Sequence, residues 1–150
     1  MADSKKPSVK PRKQVGALPY RLTEAGAWEF YLVTSRETRR WVIPKGWPMK
    51  GRSAAAAAAQ EAFEEAGLRG QTARKAIGHY LYGKRMPGGR AVPCMVEVFP
   101  MEVEDQVRKW PEMHQREGRW FPVEEAAEAV DEPGLSEIML GFSASKAVAA

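Results

Sequence analysis

GWPMKGRSAAAAAAQEAFEEAGL, residues 46–68, is the stretch that decides the fold. Gly46, Pro48 and Gly51 punctuate a loop, because glycine admits positive φ and proline lacks a backbone donor. Ser53 is placed to cap the helix that follows. The alanine-rich run AAAAAAQEAFEEA has the composition of highest helix propensity, so a helix is expected over residues 54–66. Gly67 ends it as a residue that takes the left-handed conformation without steric cost.

On a wheel turning ~100° per residue, Glu61 lies at about 0°, Glu64 at about 300° and Glu65 at about 40°. The three carboxylates share one face. Ala59, Ala62, Phe63 and Ala66 fall between about 100° and 200°, which predicts the buried face, with the acids held outward. Three carboxylates within one turn repel each other unless a cation sits among them, and hard oxygen ligands select Mg²⁺ or Mn²⁺. Such ions neutralise a diphosphate, and a metal-bound or carboxylate-activated water can attack phosphorus. An isolated E-x-x-E-E is most often the solvated side of a surface helix. Here a Gly/Pro loop leads from an apolar strand into the helix, Lys45 and Arg52 flank it, and a glycine cap follows.

Outward from this helix, QVGALPYRL reads as a strand broken late by Pro19, WEFYLVTSR as a second and RWVIP as a third ending at Pro44. Two longer extended segments follow, at about 72–84 and 91–102, joined by a turn at Met86–Gly89. GRWFPV is a short strand. PVEEAAEAV is a helix with Pro122 near its first turn, and a last helix occupies about 134–148. Strands, helix, strands and two helices suggest a mixed sheet covered by helices, an α/β or α+β layered domain.

The chain has 150 residues, 44% hydrophobic and 28% charged, as expected for one globular domain with a single core. No apolar run approaches the ~20 residues of a membrane helix. The start has no apolar stretch, so no secretory signal is expected. Cys94 is the lone cysteine, which excludes an intrachain disulfide and suggests a reducing compartment, the cytoplasm. The pI is about 9.3. Residues 1–14 carry five Lys/Arg and one Asp against a whole-chain charge of +4, so residues 15–150 sum to zero. The expectation is a disordered basic tail over 1–14 and one folded domain over 15–150, whose neutrality argues against nucleic acid as partner. Residues 36–90 hold twelve Lys/Arg against four Glu, which suits an anion site.

These residues resemble a known family, the Nudix hydrolases. Its signature is Gly, five residues, Glu, seven residues, Arg-Glu-apolar-any-Glu-Glu-any-Gly-apolar. The chain has Gly46, Arg52 and then Gln60-Glu61-Ala62-Phe63-Glu64-Glu65-Ala66-Gly67-Leu68 at that spacing. The resemblance implies an α/β/α sandwich with a mixed β-sheet between helices. It implies that Glu61, Glu64 and Glu65 bind divalent metal, Mg²⁺ with Mn²⁺ as substitute, that the Gly46 carbonyl adds a ligand, and that Glu64 or Glu65 activates water. Two positions depart: Arg52 stands for the early glutamate and Gln60 for the arginine. A rewired support is expected, with Arg52 orienting a carboxylate or reaching phosphate and Gln60 bonding Glu61.

FYLVTSRETRRWVIPKG, GHYLYGKR and WPEMHQREGRWFPVEEA are similar to the diphosphoinositol polyphosphate phosphohydrolase branch, which also cleaves diadenosine polyphosphates. That similarity, with the chemistry of a highly charged substrate, marks Ser35, Arg36, Lys84, Arg85, Arg90 and Arg116 as substrate-binding, and Lys45 and Arg52, which flank the glutamate helix, complete the set. Trp47 is the aromatic best placed to stack on a base. The partner expected is a small-molecule polyphosphate; a homodimer is compatible with this reading. The alternatives are a non-catalytic nucleotide-binding module of the same fold, an RNA 5′-pyrophosphohydrolase and a nucleoside triphosphate pyrophosphohydrolase.

Overall fold

The computed structural model describes residues 10–149, so most of the expected tail, residues 1–9, lies outside the described residues. Strand β1 (Arg12–Leu22) starts before the expected boundary. Residues 12–14 therefore belong to the domain: Gln14 is buried, and its side-chain oxygen accepts from the Tyr82 hydroxyl at 2.6 Å. The other elements are β2 (Trp28–Thr34), β3 (Trp41–Val42), β4 (Lys45–Gly46), α1 (Ala54–Ala66), β5 (Leu68–Thr72), β6 (Gly78–Arg85), β7 (Ala91–Gln106), β8 (Gly118–Pro122), α2 (Val123–Ala129) and α3 (Pro133–Ala149). The segment expected to be extended from about 72 is two strands, because β5 starts directly after Gly67 and a turn separates it from β6.

All eight strands form one sheet ordered β3-β2-β1-β7-β5, with β4 on β1, β6 on β7 and β8 on β2. β1 and β7 are parallel from Arg12 opposite Cys94 to Tyr20 opposite Glu102, while the other pairings are antiparallel. The sheet is therefore mixed. β1 runs through Pro19 instead of breaking there. On its side away from β7, β1 pairs with β4 at Val15 and Gly16 and with β2 from Tyr20 onward. The Ala17 N–H points to that side, onto the Pro44 carbonyl at 3.0 Å. Pro19, two residues on, faces the opening where β4 and β2 diverge, so its missing N–H disrupts no ladder bond.

Both faces of the sheet are covered, so the central strands are apolar on both sides instead of alternating. Leu18, Phe30 and Leu32 pack with Val123, Ala126, Leu135 and Met139 of α2 and α3. Val15, Ala17, Tyr31 and Val33 pack with Ala57, Ala58, Ala62 and Ala66 of α1. This is the α/β/α sandwich.

Helix α1 has its expected bounds. Ser53 accepts from the Ala56 N–H at 3.1 Å, and Gly67 adopts φ 69°. A side chain at Gly67 would meet the Trp110 indole, whereas one at Gly88, φ 93°, would meet nothing. Both Gly→Ala changes impose the left-handed penalty of about 1–2 kcal/mol. Gly67→Ala must also displace Trp110. Urea unfolding should show it to be clearly more costly than Gly88→Ala; equal costs would mean that the indole contact contributes nothing.

Candidate active site

The buried arc of α1 is not the expected one. It comprises Ala57, Ala58, Ala62, Glu65 and Ala66, whereas Ala59 and Phe63 are only half-buried. On the wheel this arc centres near Glu65 and Ala58, so the glutamates turn toward the strand ends and not outward. Glu65 is 6% exposed.

Two neighbours explain how a carboxylate is held there. Arg116, itself almost fully buried, points Nη2 at Glu65 Oε2 at 3.7 Å, while its Nε donates to Glu112 Oε1 at 2.8 Å and its Nη1 to the Thr34 carbonyl at 3.1 Å. Lys45 lies on the other side, with Nζ 4.8 Å from the Tyr82 ring centre. Even so, burial pushes Glu65 up to about 8, against the pull of Arg116 and Lys45. Burial likewise pushes Lys45 down to about 8. Glu61, one turn before Glu65, is also raised by burial and by the charges of Glu64 and Glu112.

Gly46 faces Glu61: a side chain there would collide with the Glu61 carboxylate. The missing Cβ makes the space the acids occupy, and β4 fixes it through pairing of Gly46 with Val15. Glu64 is held elsewhere, with Oε2 accepting from Gln60 Nε2 at 2.8 Å. Gln60 Oε1 in turn accepts from Arg52 Nη1 at 3.4 Å. The expected support exists, but Gln60 bonds Glu64 and not Glu61, because on a helix residues four apart face one another. Gln60→Leu should lower kcat about fivefold at unchanged KM, the worth of one neutral hydrogen bond; steady-state kinetics that show no change would make this contact idle.

A cavity of about 500 Å³ opens beside Glu65. Of the expected substrate-binding set, Ser35, Arg36, Lys45, Lys84, Arg85 and Arg116 line it. Arg52 and Arg90 are exposed and do not line it. Arg52 acts through Gln60, and Arg90 sits in the β6–β7 turn, where its carbonyl accepts from Met86 N–H at 2.8 Å. Trp47 is outside the cavity, half-exposed, with Lys84 Nζ 5.8 Å from its ring.

Three further residues belong to the site. Glu112 reaches the acids because its N–H binds the Glu64 carbonyl at 2.9 Å, which docks the 107–116 loop on the end of α1. Arg40 and Glu132 also line the cavity. Their only trace in the sequence was charge, and contacts spanning ninety residues carry no local signal.

The oxygen set fits a hard divalent cation on this structure's own terms. Burial raises both the Glu61 and the Glu65 carboxyl groups, and the glycine at 46 leaves room beside Glu61, which suits a hard divalent cation that would replace their protons. Among the described residues no three His, Cys, Asp or Glu side chains converge on one point, and Glu64 is turned to Gln60.

The profile of the NUDIX domain matches residues 10–142. Nudix hydrolase 18, mitochondrial, of Arabidopsis thaliana is 31% identical over 134 residues, covering 85% of this chain and 74% of its own. A crystal structure of a C. elegans Ap4A hydrolase binary complex superposes with a TM-score of 0.65 at 25% identity, covering 91% of this chain and 98% of that one. The NUDIX domain of Shewanella oneidensis NrtR, complexed with ADP ribose, shares the fold alone, at a TM-score of 0.64 and 11% identity over 94% of this chain and 90% of that one. The chain belongs to the Nudix hydrolase family.

Proposed function

We propose that this protein is a Mg²⁺-dependent pyrophosphohydrolase that cleaves the diphosphate linkage of a nucleoside polyphosphate or a diphosphoinositol polyphosphate. The observation that carries this is the Glu61 carboxylate set against Gly46, with Glu65 one turn further along lining a cavity rimmed by Arg36, Lys84 and Arg85. Glu61, Glu64, Glu65 and the Gly46 carbonyl would hold Mg²⁺ or Mn²⁺. When bound, such an ion neutralises diphosphate oxygens and acidifies water. The side chains of Arg36, Lys84 and Arg85 draw the polyanion in and fix its oxygens. Arg116 holds Glu65 and Glu112 at their stations, and Glu64 or Glu65 accepts the proton of the attacking water. The buried Cys94 is in keeping with a reducing compartment, and we place the activity in the cytoplasm. Among the described residues no helix is long and apolar enough to cross a membrane.

The deciding experiment incubates the protein with Mg²⁺ or Mn²⁺ and diadenosine polyphosphates, diphosphoinositols, nucleoside triphosphates, ADP-ribose and 5′-triphosphate RNA, with products identified by mass. Cleavage of none of them would refute the reading. A non-catalytic nucleotide-binding module is the second reading, favoured by the Arg52–Gln60–Glu64 chain that occupies Glu64. Binding without turnover in that assay would select it.

Metal binding must remove the proton that burial leaves on Glu65. Mg²⁺ affinity, measured by calorimetry, should therefore tighten by about tenfold per pH unit as pH rises toward 8, then level off. An affinity flat between pH 6 and 8 contradicts a metal on Glu65.

A further inference from the structure

The cavity lining is uneven in charge. Arg36, Lys45, Lys84 and Arg85 line it with no ion-pair partner among the described residues. Arg40 is committed. Its Nη1 donates to Glu132 Oε2 at 3.0 Å and to Asp131 Oδ2 at 3.1 Å. One cation against two carboxylates leaves this part of the lining with one negative charge in excess. Glu132 is 9% exposed, and its second oxygen, Oε1, is buried without a hydrogen-bond partner. A buried acceptor without a donor is rare in folded proteins, and it asks for a donor the chain does not supply. The station is rigid. Glu132 precedes Pro133, the first residue of α3, and its carbonyl accepts from the Leu135 and Ser136 N–H groups at 3.1 Å.

We infer that Arg40, Asp131 and Glu132 form a subsite that repels phosphate and accepts a hydrogen-bond donor, so that the substrate end lying there is a neutral polar group such as a nucleoside. The inference rests on the proposed function and narrows it. A nucleoside offers hydroxyl and amino donors. A fully phosphorylated inositol ring presents phosphate on every side and meets like charge at Asp131 and Glu132. Arg40, which could otherwise bind that phosphate, is already neutralised. The remaining cations of the cavity then serve the polyphosphate part of the same substrate.

The test separates binding from chemistry. Calorimetric titrations without divalent metal use AMP and inositol hexakisphosphate, on the native protein and on the double variant Asp131→Asn/Glu132→Gln. The variant frees Arg40 and removes the repulsion, so inositol hexakisphosphate should bind at least about tenfold more tightly relative to AMP. Asp131→Asn alone changes an exposed side chain and should shift the ratio in the same direction by a smaller factor, which keeps the test valid if the double variant misfolds. An unchanged ratio, or a shift toward AMP, overturns the subsite. In parallel, the native protein with Mg²⁺ should cleave diadenosine tetraphosphate with at least about tenfold higher kcat/KM than a diphosphoinositol pentakisphosphate. Preference for the diphosphoinositol overturns the subsite and leaves the hydrolase standing. Cleavage of neither overturns the hydrolase, and the binding ratio still decides the subsite.

Discussion

Glu65→Gln is expected to abolish turnover while making the metal-free protein more resistant to heat at pH 8. The loss of activity follows from removing a metal ligand or proton acceptor, each worth roughly a thousandfold in kcat. The stability gain follows from linkage. Burial raises the Glu65 carboxyl from its ordinary value to about 8 in the folded chain. The folded state thus keeps a proton that the unfolded chain has already lost. That contribution is fully present below the unfolded value, near 4–5, and is lost as pH rises through 8. Glutamine never ionises and so keeps it. Melting curves of the two proteins should coincide at pH 5 and separate at pH 8, by at least about 1 kcal/mol in favour of the variant. A variant that melts lower at both pH values would show that Glu65 is structural, and the activity loss would then carry no weight.

The second large effect is on folding. Arg116→Met should destabilise the protein above pH 8, where Glu65 is ionised, by about 3–5 kcal/mol, on the order of 10 °C in Tm, because it removes the cation that contacts both Glu65 and Glu112. It also frees the Thr34 carbonyl. Lysine should restore only part of the loss, since one ammonium cannot serve three acceptors in three directions. Combining Arg116→Met with Glu65→Gln should recover stability relative to Arg116→Met alone, as expected for residues in direct contact. Additive losses would mean that the arginine acts mainly on the loop.

What local chemistry controls was legible in the sequence. Ser53, six alanines and Gly67 define α1 through neighbours within one turn, and the helix has the expected bounds. What tertiary packing controls was not. The wheel put Phe63 in the core because its angle groups it with Ala59, Ala62 and Ala66, yet the arc laid on the sheet is the one of Ala57, Ala58, Ala62 and Ala66. That choice turns Glu65 inward and leaves Phe63 half-covered. Of the proposed substrate residues, those on strands and turns that converge at the cavity, such as Ser35, Lys84 and Arg116, are brought together, and Arg52 and Arg90 are not. Direction along a loop cannot be read from spacing. Glu112, Arg40 and Glu132 enter the site through contacts made only when distant segments meet.

The parallel pairing of β1 with β7 has a consequence for how the chain comes into being. Residue 12 finds its sheet partner at residue 94, and the cation that steadies Glu65 arrives later still, at residue 116. Such remote pairings form late, after a costly loop closure. During synthesis, then, the acids of α1 leave the ribosome as ordinary hydrated side chains. They become a crowded, proton-retaining cluster only once the carboxy-terminal half has closed over them, so a nascent chain stopped at β6 would carry the full signature and none of its electrostatic tension.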